Sequence, residues 1–322
     1  MHFREKVALV LGYNVVRGVR PPGDFARWRV TPSVRASPRM NDYIQLTKPR
    51  ITWLILMSTA IGYYFGVQDA WSWAVLFHTI AGTGLIASGT AALNQWMERD
   101  ADAKMKRTRH RPLPSGHLRP VRAFWFAVGL SILGFAELWF GANPLTAVLG
   151  LFTLVTYLCV YTPLKQKTPH STTVGAIPGA MPPVIGFAAS RGELTIEAAA
   201  LFAILFLWQF PHFYAIAWLY RDDYGRAGIR MLPVIDPTGE RTARQILATA
   251  ALLIPVSLVP TWIGMAGNWY LAGALLLGSM YFWYGLRINS ERSLVRARHV
   301  LLASIAYLPI LYILMLADRT KL

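Results

Sequence analysis

The sequence predicts an all-α integral membrane protein with nine transmembrane helices, a cytoplasmic N-terminus and cytoplasmic loops capping the bundle. Three observations carry that expectation. Of 322 residues, 54% are hydrophobic and 15% charged, against roughly a quarter charged in an average soluble domain, so much of the chain faces something other than water. Nine stretches have the length of about 20 residues needed to cross a bilayer and are almost free of charge: 51–67, 70–96, 123–140, 143–162, 174–190, 198–220, 246–268, 269–286 and 300–316. With those spans alternating in direction, 29 of the 32 lysines and arginines fall on one side, which the positive-inside tendency makes the cytoplasm.

The net charge of +16 would suggest a nucleic-acid partner in a soluble chain. Here it sits in the loops and reads as topology, so no nucleic acid is expected; the same charge can attract anionic membrane lipid or a phosphorylated substrate. The single cysteine, Cys159, lies in an apolar run and excludes an internal disulfide framework and any multi-cysteine metal site.

Residues 1–39 are Arg-rich, contain Pro21-Pro22 and hold no span-length apolar run. They read as a poorly ordered basic N-terminal extension, or as upstream sequence ahead of a start at Met40. They lack the amphipathic helix pattern of a transit peptide, which favours a bacterial inner (plasma) membrane over a mitochondrial one. Residues 40–322 form the transmembrane domain. Within its spans only Glu137 carries a formal charge, near a span end where it can reach the interface or a partner helix.

The loops are unequal. Those outside are short, whereas two cytoplasmic loops are long and acidic, so chemistry is expected on that face. The first begins as span 2 ends. There Asn94, Glu98 and Asp102 stand at i, i+4 and i+8, on one helix face. Like charges at that spacing repel, so the arrangement suits a hard cation such as Mg²⁺, which binds through one or two carboxylates and substrate phosphates. A solvated helix end paired to nearby lysines would look the same on spacing alone. The cationic run that follows, with Arg107 and Arg111, tips the balance by supplying donors of the kind an oligophosphate needs.

The second long loop follows span 6 and contains Asp222 and Asp223. Trp-x-x-Arg-Asp occurs in both loops, at 96–100 and 218–222, four spans apart, which hints at a duplicated unit. Between the two lies Tyr161-Thr162-Pro163-Leu164-Lys165, a turn with a lysine and an aromatic. Two histidines, His78 and His212, fall inside spans; such residues more often bond a neighbouring helix than a ligand. His212 follows Gln209-Phe210-Pro211, a proline-loosened turn that places polar groups within the bundle.

Taken together, Thr47-Lys48-Pro49-Arg50, the 94–116 segment, Tyr161 to Lys165 with Lys167-Thr168-Pro169-His170, Gly175 to Ala180, and Trp208 to Phe213 leading to Arg221-Asp222-Asp223-Tyr224 resemble the UbiA superfamily of intramembrane prenyltransferases. Within it they resemble the protohaem IX farnesyltransferases, over about 42–316. The resemblance implies a UbiA-like nine-helix bundle that moves a farnesyl group from farnesyl diphosphate to a vinyl group of haem B, giving haem O. Farnesyl diphosphate and haem B would then be partners, with a downstream haem A synthase or terminal oxidase assembly proteins beyond them. By the same resemblance Asn94, Glu98, Asp102, Asp222 and Asp223 hold Mg²⁺, with Asn94, Glu98, Asp102 and Asp223 catalytic; Arg107, Arg111, Tyr161, Lys165 and His212 bind substrate. Glu98 stands where most of the superfamily has Asp, and Tyr220 where the second acidic region has its first carboxylate. Two other readings are weighed: a quinone precursor or chlorin as acceptor, and a secondary transporter. A transporter is expected to place ionisable groups near the bilayer midplane, whereas these acids cluster at the cytoplasmic mouth.

Overall fold

The computed structural model describes residues 39–68 and 70–320; nearly all of the basic N-terminal extension lies outside the described residues. These form fourteen α-helices: α1 (Met40–Leu46), α2 (Pro49–Gly66), α3 (Trp73–Met97), α4 (Arg99–Lys104), α5 (Pro120–Gly141), α6 (Pro144–Val155), α7 (Ser171–Gly179), α8 (Met181–Arg191), α9 (Ile196–Leu219), α10 (Arg221–Arg226), α11 (Leu232–Ile235), α12 (Glu240–Trp262), α13 (Asn268–Ser290) and α14 (Leu294–Ala317). α6 runs on through a π-helical turn, Thr156–Tyr161, and a last α turn, Thr162–Leu164. Among the described residues the one extended pairing is an isolated bridge between Ala266 and Arg319.

Eight of these segments are long and apolar enough to cross a membrane: α3, α5, α6 with its extension, α7 with α8, α9, α12, α13 and α14. The first expected span, α2, is the exception. At 18 residues it opens on Pro49-Arg50 and carries Thr, Ser and Tyr among its apolar residues, yet it packs in the same bundle against α8 and α3. Chain punctuation sets the ends. Ser72, Asn143 and Ser293 cap α3, α6 and α14 by accepting backbone N–H bonds from Val75, Thr146 and Arg296, satisfying donors that a helix start leaves open; Pro49, Pro120 and Pro144 occupy first-turn positions where the missing N–H is harmless.

The fifth expected span is broken. α7 ends at Gly179 and α8 begins at Met181, followed by Pro182 and Pro183, which cannot donate to the preceding turn. All of Met181 to Ala189 is buried, so α8 is a central post between α2, α6 and α9. Glycine permits that closeness: a Cβ on Gly186 would lie 1.8 Å from the Thr59 carbonyl oxygen, and one on Gly62 would lie 1.9 Å from that of Pro183. In lipid, backbone approach of this kind supplies the packing energy that the hydrophobic effect supplies in water. With α8 filling one end, polar residues collect at the other, where the two long loops lie. Those loops form a small core with Ala217 of α9, made of Ala101, Met105, Ala227, Ile229 and Met231.

Glu137 of α5 meets His78 of α3, with Nδ1 2.8 Å from Oε1. The charge inside a span is thus paired across helices.

Candidate active site

The site is assembled where α3 ends. Glu98 leaves the helical region (φ −93°, ψ 7°) and separates α3 from α4, so the straight helix face expected for Asn94, Glu98 and Asp102 is bent at its middle member. The backbone bonds survive the bend: Glu98 N–H donates to Asn94 O at 2.9 Å and Asp102 N–H to Glu98 O at 2.8 Å. The three side chains still follow at one-turn intervals, and each meets a cation of this chain. Lys48 Nζ donates to Asn94 Oδ1 at 3.2 Å, Lys165 Nζ to Glu98 Oε1 at 2.8 Å and Arg111 Nη1 to Asp102 Oδ2 at 2.7 Å.

Local sequence explains how Arg111 returns to Asp102. Thr108 Oγ1 donates to Asp102 O, and tight turns from Met105 to Arg111 fold the basic run back on itself; Leu113 and Leu118 then anchor it in a cluster with Leu46, Ala92, Ala123 and Ala127. The second acidic loop joins here. Asp223 is buried, paired with Arg226, and its Oδ1 accepts the backbone N–H of Lys106 at 3.2 Å. Asp222 is exposed, so the fold brings Asp223 and not Asp222 to the first acidic loop. Arg107 is exposed as well and sits over the Tyr220 ring at 5.2 Å. Tyr220 is thus a platform for a basic residue.

Lys165 is held from three sides. Its ammonium lies 4.5 Å from the centre of the Tyr161 ring, within cation–π range, and its carbonyl accepts Arg230 N–H from the second long loop at 2.8 Å. Burial opposes its charge, but Tyr161 and the Glu98 carboxylate outweigh burial and raise its pKa above the ordinary lysine value. Lys48 shows the opposite balance. Burial, with Arg111 and Lys165 nearby, pulls it down from 10.5 to about 7. Lys48 also has φ +48°, the one left-handed non-glycine backbone among the described residues, a conformation that costs on the order of 1–3 kcal/mol and collects at functional sites. Arg111 and Lys165 balance the carboxylates of Asp102 and Glu98 one for one, and the positive charge of these two neighbours is part of what keeps Lys48 low; an anion bound here would favour its protonated form.

The donors suit magnesium. They are hard oxygens, the class that Mg²⁺ takes together with water and phosphate oxygens; among the described residues no three His, Cys, Asp or Glu side chains converge.

Deeper in the bundle, His212 Nδ1 lies 2.8 Å from Ser304 Oγ on α14. Ser304 spends its own proton on Leu301 O at 2.6 Å, so it accepts from His212; Nδ1 carries the proton and Nε2 presents a lone pair. Trp208 stacks on the imidazole at 4.8 Å and donates Nε1–H to Ser304 O. Sequence reasoning found His212 but missed Ser304, Arg226 and the roles of Thr162 and Lys48; of these, Lys48 and Thr162 stood in motifs that could have flagged them, Thr47 to Arg50 and Tyr161 to Lys165.

A membrane-embedded helical bundle with acids and bases facing each other at one end is the architecture that a family comparison identifies. The model of the UbiA prenyltransferase family matches residues 55–308, and the chain belongs to that family. Among solved structures, a digeranylgeranylglyceryl phosphate synthase shares the fold with a TM-score of 0.73 at 16% identity, over 88% of this chain and 99% of that one. A UbiA homologue from Archaeoglobus fulgidus, bound to DMAPP and Mg²⁺, does so with a TM-score of 0.60 at 17% identity, over 84% and 99%. A curated relative from Solibacter usitatus (strain Ellin6076), named protoheme IX farnesyltransferase, is 63% identical over 292 residues, spanning 88% of this chain and all of the relative.

Proposed function

We infer that this chain transfers the farnesyl group of farnesyl diphosphate to a vinyl group of protohaem IX (haem B), giving haem O. The observation that carries the reading is the joining of the two acidic loops at Lys106 and Asp223, which gathers acids for a metal and bases for a diphosphate at one mouth; the 63% identity to a protoheme IX farnesyltransferase assigns donor and acceptor. The protein is a nine-helix bundle of the bacterial inner membrane, α2 being the first span, with its N-terminus and site in the cytoplasm.

Asn94, Glu98 and Asp102 would hold Mg²⁺ from the first loop, with Asp223 and exposed Asp222 contributing negative charge from the second. Mg²⁺ held there would supply positive charge to the diphosphate leaving group. Arg111 and Lys165, with Arg107 at the entrance, donate to the leaving diphosphate where negative charge develops. Tyr161 binds substrate beside Lys165, whose ammonium its ring holds, while the apolar bundle excludes water until the cation is captured. The vinyl group forms a C–C bond to farnesyl C1, water adds to the neighbouring carbon, and its remaining proton leaves with the diphosphate. His212 contacts the porphyrin, its Nε2 lone pair oriented by Ser304.

The test is turnover of the purified chain in nanodiscs with haem B, farnesyl diphosphate and Mg²⁺, read by mass spectrometry for farnesylated, hydrated haem. Product that disappears with EDTA and with Asp102→Asn is the expected result. Turnover of a quinone precursor with none of haem B would retain the fold and overturn the acceptor.

A further inference from the structure

Asn94 has one direction available to its carboxamide, and the π-helical turn of α6 sets it. Over Thr156–Tyr161 the regular i→i+4 pattern gives way, and Thr162 N–H donates five residues back to Tyr157 O rather than to Leu158. Turns of this type inserted in α-helices concentrate at functional sites. The same Tyr157 carbonyl takes a second bond, from Thr162 Oγ1 at 2.9 Å. The threonine hydroxyl has a single proton, and it is spent there.

Toward Asn94, Thr162 Oγ1 can therefore only accept, and it does so from Asn94 Nδ2 at 3.2 Å. At the other end of the amide, Lys48 Nζ donates to Oδ1 at 3.2 Å. Both residues are buried, Asn94 at 2% and Thr162 at 6% exposure, so no bulk water compensates for a wrong choice. A flipped amide would turn its NH₂ toward the Lys48 nitrogen and its oxygen against a hydroxyl with no proton left, leaving buried polar groups unpaired.

We propose that Thr162 is a positioning residue for the metal site: the π-turn aims its hydroxyl so that it holds Asn94 Nδ2, which fixes Oδ1 as the face the amide presents to a cation. The proposal rests on the reading of Asn94 as a Mg²⁺ ligand. Partners one shell out from a metal orient its ligands, and losing one typically costs about 10–100-fold in metal affinity.

The experiment measures Mn²⁺ binding by electron paramagnetic resonance to the full chain in nanodiscs, with an unreactive farnesyl thiolodiphosphate present, so that no turnover enters the readout. Four variants are compared with the parent: Thr162→Val, which keeps the volume and removes the hydroxyl, Thr162→Ser, which restores it, Asn94→Ala, and Thr162→Val with Asn94→Ala. The expected result is an affinity about tenfold weaker or more for Thr162→Val, recovery in Thr162→Ser, and a double variant no weaker than Asn94→Ala alone. Parental affinity in Thr162→Val beside a weakened Asn94→Ala overturns the positioning role and leaves the metal reading standing. Failure of Thr162→Ser to recover binding, or a further loss on adding Thr162→Val to Asn94→Ala, also overturns it, since the effect then does not pass from hydroxyl to amide. Parental affinity in Asn94→Ala removes the metal reading itself, and the proposal with it.

Discussion

The backbone N–H of Lys106 donates to the Asp223 carboxylate across 3.2 Å, tying together two loops that are 117 residues apart in sequence. Asp223 also pairs with Arg226, so one buried carboxylate closes the second loop on itself and docks it on the first. Replacing Asp223 with Asn keeps the shape and removes the charge. We expect kcat/KM to fall about 100-fold or more, the scale of losing one preorganised electrostatic group, with haem B affinity near the parental value; an enzyme with unchanged turnover would remove Asp223 from the site.

Lys165 and Glu98 are about as buried as each other, with side chains 14% and 15% exposed. Lys165→Met strands the glutamate, and an uncompensated buried charge is costly, so the variant should lose on the order of 3 kcal/mol of stability together with its activity. Adding Glu98→Gln removes the stranded charge. Thermal unfolding in detergent should then recover while turnover stays absent, which separates the structural part of the pair from its chemical part. Recovery of both would mean that neither residue touches the diphosphate.

His212→Ala and Ser304→Ala should act on the acceptor alone. We expect KM for haem B to rise about tenfold in each, the equivalent of a contact worth about 1.4 kcal/mol, with KM for farnesyl diphosphate unchanged. A rise in the diphosphate KM instead would place this pair on the donor side of the cavity.

Gly186→Ala tests the bundle rather than the chemistry. Its Cβ would enter to 1.8 Å of the Thr59 carbonyl oxygen, a backbone atom that cannot move aside without shifting α2. The variant should accumulate poorly or unfold well below the parental temperature, and any folded fraction should lose activity because α2 leads in from Lys48. Parental stability would show that α2 and α8 are less tightly docked than the fold implies.

The membrane class and eight of the nine expected spans, with their approximate ends, were legible in the sequence because they depend on a local property, apolar run length; the acidic and basic side chains near the end of α3 stood out as candidates by their four-residue spacing. Pairing was not legible. Asp222 and Asp223 are neighbours in the chain and equal in chemistry, and only the packing of α10 under the loop leaves one exposed and buries the other. Glu137 was expected to reach either the interface or a partner helix, and the packing of α3 on α5 decides for the helix by bringing His78 to it.

The sequence by itself determined that this is a membrane-embedded bundle with its polar chemistry at one end, since no other solvent fits so many uncharged stretches. The tertiary structure decided which cation faces which carboxylate, why Lys48 is held in a left-handed turn, and which way the Asn94 amide points. Those outcomes depend on groups from α2, α3, α6 and the two long loops meeting within about 3 Å, the range of a hydrogen bond, and such distances are fixed by helix packing and by one π-turn that no period in the sequence announces.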